Sequence, residues 1–114
     1  MSELVKRHIL CIQALNRYKN NKLRRAILAN ADADLICALA ECAYNILKGN
    51  VPLTPTHRRR LIKYRKELRE LAKRRLPIAR RRHILQEQTG GFLSALLAPL
   101  AGSVILPLLR QVLA

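Results

Sequence analysis

Along the first fifty positions, apolar residues recur at the three- and four-residue spacing of a single helix face. Leu4, Val5, Ile9, Ile12 and Leu15 mark such a face, and with Ser2 as half of a capping signal they predict a first helix over about residues 3 to 16. Asn16, Asn20 and Asn21 cluster with basic residues around Tyr18, a turn composition; Leu23, Ala26, Ile27 and Leu28 then predict a brief second helix. The clearest stripe is Leu35, Ile36, Leu39, Ala43, Ile46 and Leu47. Asn30 and Asp32 offer it N-caps, and Lys48-Gly49-Asn50 supplies the stop.

Val51-Pro52-Leu53 reads as a linker, and Thr54 as N-cap with Pro55 in the first helical position starts a long fourth helix running to about Arg75. Leu61, Tyr64, Leu68 and Leu71 form its narrow apolar seam, with basic residues over the rest and Glu67 and Glu70 giving local ion pairs worth about 0.2–0.5 kcal/mol each. Pro77 breaks the pattern. Ile78, Ile84 and Leu85 with Arg80 to Arg82 then predict a short basic helix ending before Thr89-Gly90-Gly91, where the glycine pair makes a flexible joint.

Beyond that joint, Phe92 to Leu109 is a run of eighteen residues without a charge. It falls just short of the roughly 20 apolar residues that cross a bilayer as a helix, and Pro99, Gly102 and Pro107 interrupt it. Leu93, Leu96, Leu97, Leu100 and Val104 fall on one side. Ser94, Ala98 and Gly102 fall on the other, as a small-residue stripe of the kind that lets helices approach closely in membrane or oligomer contacts. Only Ser94 and Ser103 are polar within the run, so a soluble outer face is missing. The tail is therefore expected to serve self-association, another protein or a membrane surface; folding back to complete the small core is the alternative. The expected architecture is all-α: a small helical domain over residues 1–50, a basic helical DNA-binding segment over 51–89, and a Gly-Gly hinge with apolar tail over 90–114.

Charge changes this picture from architecture to partner. The 114 residues hold 22 Lys and Arg against 7 Asp and Glu, a net charge of +15 with a pI near 11.1. Residues 57 to 83 alone hold thirteen basic and two acidic side chains, or +11. Such a segment repels itself unless a polyanion neutralises it. The candidate phosphate contacts are Arg58, Arg59, Arg60, Lys63, Arg65, Lys66, Arg69, Lys73, Arg74, Arg75, Arg80, Arg81 and Arg82. Aromatic residues make up 4%, too few for a base-stacking single-strand surface. The alternative of a helix-turn-helix reader meets a recognition segment, Asp34 to Leu47, that has no Arg or Lys.

Cys11, Cys37 and Cys42 lie within apolar patterns and read as buried free thiols of a reducing compartment; no paired Cys or His spacing suggests a metal. No cofactor motif is present, no early apolar run opens the chain as a secretory signal, and His8, His57 and His83 each adjoin Arg or, for His57, Arg58. A catalytic role is not expected.

The order of parts, an arginine-rich stretch, Gly90-Gly91, then Phe92-Leu93-Ser94-Ala95-Leu96-Leu97-Ala98-Pro99-Leu100-Ala101-Gly102, resembles the precursors of adenovirus core protein X (mu) over about residues 78 to 114. The whole chain is similar to small basic proteins encoded by Polinton or adintovirus-type elements, sharing the Lys48-Gly49-Asn50-Val51-Pro52-Leu53-Thr54-Pro55 entry to the basic helix. The resemblance implies a virion core protein that condenses DNA without sequence specificity in the virion and host nucleus. It also implies a maturation-protease cut between Gly91 and Phe92, with Gln88 standing where that family of sites carries an aliphatic residue or Met; read from the residues alone, the glycines are equally a helix stop and hinge. A membrane-active or membrane-anchored basic protein, its helix on anionic lipid and its tail inserted, is the competing expectation.

Overall fold

The computed structural model describes residues 3–87 and 89–113, and the expected capping role of Ser2 and the place of Gln88 lie outside them. Helices α1 (Glu3–Arg7) and α2 (Ile9–Arg17) are the expected first helix with a break at His8, whose ring Nδ1 lies 3.0 Å from the Leu4 carbonyl oxygen. Helix α3 (Asn21–Asn30) is capped by Asn20, whose side-chain oxygen accepts from the Leu23 N–H. Helix α4 (Ala33–Leu47) starts at Asp32, which accepts from the Leu35 N–H at 2.9 Å. Asn30, the other candidate cap, closes α3 instead.

Gly49 ends α4 with φ +79°, the left-handed conformation that a side chain would strain. The Gly49 N–H donates to Ile46 and the Asn50 N–H to Asn45, the paired bonds of a Schellman stop. Thr54 accepts from the His57 N–H and Pro55 occupies the first position of α5 (Pro55–Lys63). The long fourth helix is not continuous. Tyr64, at φ −115° and ψ 21°, separates α5 from α6 (Arg65–Leu71), and α7 (Ile78–Glu87) follows Pro77.

The break at Tyr64 has a packing cause. Its ring turns toward the start of the tail, with its centroid 5.8 Å from that of Phe92, and its hydroxyl fills the space that a side chain on Gly91 would need. The tail itself runs through a π-helical turn over Thr89–Leu93, α8 (Ser94–Leu97), a second π-helical turn over Ala101–Ile105, and α9 (Leu106–Leu113). No strand occurs among the described residues, and the chain is all-α.

Of the roles open to the tail, the structure shows the one in which it folds back to complete the core. Phe92, Leu93, Leu96, Leu97 and Leu100 are completely buried in one cluster with Val5, Ile9, Ile12, Leu15, Leu28, Ile36, Leu39 and Leu71. Helix α4 lies at the centre of this cluster, packed by α1, α6, α7 and α8. The physical reason is size. About fifty residues of helix cannot bury enough apolar surface to cover both faces of α4, and the tail supplies the missing layer. The three segments thus share a single core. No single helix among the described residues is long and apolar enough to cross a membrane; Gly91–Leu97 and Ala101–Leu113 pass that test only together, across a 47° bend.

Candidate nucleic-acid interface

The seam of α5 and α6 turns inward as its spacing predicts: Leu61, Leu68 and Leu71 are buried and Tyr64 is half-buried. The cations of these helices face water. Arg58, Arg59, Arg60 and Lys63 on α5, Arg65, Lys66 and Arg69 on α6, and Lys73, Arg74 and Arg75 in the turn beyond are all exposed. No acidic residue lies in the first turn of α5, so its positive end is unopposed. The two acids within the segment, Glu67 and Glu70, are half-buried toward α7, where they share a depression with Lys66, Arg80, His83 and Glu87. A helix rises about 1.5 Å per residue, so the nine residues of α5 span about 13.5 Å and the seven of α6 about 10.5 Å. A duplex presents about eight phosphates over the first length and about six over the second.

Arg81 and Arg82 are half-buried and donate to groups inside the fold, whereas Arg80 stays exposed and commits only its Nε. Arg80 Nε donates to Glu70 at 2.6 Å, tying α7 to α6. That bond, with the charges of Arg80, Lys73 and Lys66, holds the Glu70 carboxyl below the usual range, and the same bond with the Glu70 charge raises Arg80 above its own. Arg81 Nη2 donates to the Lys73 and Arg74 carbonyls, and its Nη1 to the Cys37 sulfur at 3.6 Å. Arg82 Nη1 donates to the Leu28 and Ala31 carbonyls at 2.7 Å each, satisfying the last turn of α3. Guanidinium forks near helix C-termini are suited to this work, and charge counting alone does not separate them from free cations.

The most deeply placed cation is one that charge counting assigns to the surface. Arg24 is 1% exposed; its Nε donates to the Leu15 carbonyl and its Nη1 to Ser94 Oγ, each at 3.0 Å. Burial lowers its pKa. The available signal was Ser94, one of two polar residues in an eighteen-residue apolar run. Its small size permits close approach, but by an arginine rather than a second helix. Ala98 is half-buried, and Gly102 faces open space, so a stripe of close helix contact is not formed there.

The Gly91–Phe92 bond lies within the first π-helical turn, with Phe92 fully buried and Gly91 against Tyr64. The expected flexible joint is helical, with Gly91 exposed and Phe92 buried. Of the thiols, Cys42 is buried, Cys37 half-buried and Cys11 exposed, which corrects the expectation of three buried groups. Burial pushes the Cys42 thiol up to about 12, with the charge of Glu41 adding to the shift. Among the described residues no three His, Cys, Asp or Glu side chains gather to hold a metal ion. Comparison with family models finds none that matches the chain, and no curated protein or solved structure matches it.

Proposed function

We propose that the chain is a DNA-packaging or core protein that binds duplex DNA without reading sequence, through the outward faces of α5 and α6 and the turn that follows. The observation that carries this reading is the ten exposed cations from Arg58 to Arg75, with the only two acids of that span half-buried toward α7. Such a field neutralises phosphates and releases counterions, and it has no need of base contacts. The likeness of the chain to Polinton-type and adenovirus core proteins supports DNA as the polyanion, and a virion and host nucleus as the setting.

If eight of the ten cations engage phosphates, log affinity falls with log salt at a slope near −7, and random duplexes bind equally. A slope shallower than about −3 would count against the reading. The membrane alternative draws less support, because it requires a tail whose large residues Leu93, Leu96, Leu97 and Leu100 are withheld in the core. Anionic vesicles in the same titration separate the two readings.

A further inference from the structure

The stretch from Ile9 to Asn30 contains no Asp or Glu. It exposes Arg17 and Lys19 around the turn after α2, and Lys22 and Arg25 on α3. Among the described residues none of these four lies within ion-pair distance of a carboxylate. The turn is well defined: the Arg17 guanidinium sits 5.9 Å from the centre of the Tyr18 ring, and Asn20 caps α3.

This second cationic field is separated from that of α5 and α6. Helix α7 packs against both α3 and α6. Its exposed edge carries His83 and Glu87, whose Nε2 and Oε1 lie 3.7 Å apart. Arg25 adjoins that edge from α3, while Glu67 and Glu70 adjoin it from α6. A phosphate backbone crossing from one field to the other would pass Glu67, Glu70 and Glu87, set among Lys66, Arg80 and His83. A helix with its side chains is about 10–12 Å across. That is at or beyond the Debye length of about 8 Å at physiological salt, so the charges of one field are largely screened from the other.

We infer that the α2–α3 edge is a second duplex-binding surface, and that one molecule bridges two DNA duplexes. The inference rests on the reading of α5 and α6 as the principal surface and gives that reading a route to condensation. With the tail's large residues buried in the core, bridging does not need the tail for self-association.

The test uses the full chain, two short duplexes carrying donor and acceptor fluorophores, and the variant R17Q/K19Q/K22Q/R25Q, with K22Q/R25Q as a milder companion. Matching circular dichroism establishes that both fold. Wild-type protein below saturation should bring the two duplexes together and give energy transfer. The fourfold variant should keep its affinity for a single duplex within about threefold, and its salt slope within about 0.5, yet lose the transfer; K22Q/R25Q should fall between. Transfer that persists in the fourfold variant would overturn the inference, as bridging by protein self-association would produce. So would a slope shallower by about 3 to 4, which would mean that all four cations hold the same duplex as α5 and α6. Weak, salt-insensitive binding by wild-type protein would instead defeat the α5–α6 reading itself.

Discussion

Gly91 and Gly102 show how one residue type carries opposite constraints within twelve positions. A methyl group at Gly91 would overlap the Tyr64 hydroxyl, while one at Gly102 meets nothing within 4 Å. Gly91→Ala should therefore destabilise the fold by about 1–3 kcal/mol, as overpacking does. Tyr64→Phe should recover part of that loss but not all, since the ring carbon left behind would still lie 2.8 Å from the added Cβ. Gly102→Ala should stabilise by about 0.5–1 kcal/mol through helix propensity. Urea unfolding of the three variants and the double variant checks the set. Cys42 gives a pH prediction at the same scale. Its folded pKa is raised, from 9.0 to about 12, so the folded state keeps a proton that the unfolded chain gives up. The resulting stability is intact below pH 9 and is lost as pH rises toward 12. The loss is about 1.4 kcal/mol per pH unit inside that window. Cys42→Ala should flatten this alkaline decline relative to wild type, measured as urea midpoints between pH 8 and roughly 10.5.

Between elements, the arginines divide by what their guanidinium groups touch. Arg82 holds the end of α3 through two carbonyls, whereas Arg65 stands exposed on α6. Arg82→Gln should lower stability by about 1.5–3 kcal/mol and leave the salt slope of DNA binding unchanged. Arg65→Gln should do the reverse, reducing the slope by about 0.9 with little effect on melting. Thermal denaturation beside salt titration of both variants reads the division directly; a changed slope for Arg82→Gln would put that residue back in the interface. The same contrast shows what was legible in the chain. Caps and stops rest on local chemistry, so Asn20, Asp32, Gly49, Thr54 and Pro55 mark helix ends where turn and capping residues predict them. The apolar seam of α5 and α6 was legible for the same reason. The break at Tyr64 was not, because its cause is Phe92 and Gly91, more than twenty-five residues away in sequence. Nor could charge patterning tell Arg81 and Arg82 from their neighbours, since what distinguishes them is the proximity of helix ends brought there by folding.

At the scale of the whole molecule, the tail decides whether the basic helices have anything to stand on. Leu61, Leu68 and Leu71 face inward from α5 and α6, and α5 packs directly on α8. Removing residues beyond Gly91 deletes Phe92, Leu93, Leu96, Leu97 and Leu100, all completely buried. It also takes away Ser94, the partner of buried Arg24. Each large buried side chain contributes about 1.5–3 kcal/mol by transfer, so the combined loss of about 7.5–15 kcal/mol is as large as the 5–15 kcal/mol by which most domains are stable. A chain ending at Gly91 should therefore lose its cooperative melting transition, and any DNA binding that remains should come from an unfolded polycation. Cleavage between Gly91 and Phe92 should follow the same logic. A protease needs an extended strand, and here the bond sits in a helical turn with one neighbour buried and the other wedged against Tyr64. The native chain should resist cutting there, and Tyr64→Ala, which removes the contact with Phe92 and leaves the glycine pair intact, should be cut faster by an amount that tracks its loss of stability. Time courses of limited proteolysis across a urea series would show this as a cleavage rate rising with the unfolded population. Rapid cutting of the fully folded wild-type protein would mean that the tail undocks locally, and that the core formed by the other helices holds without it.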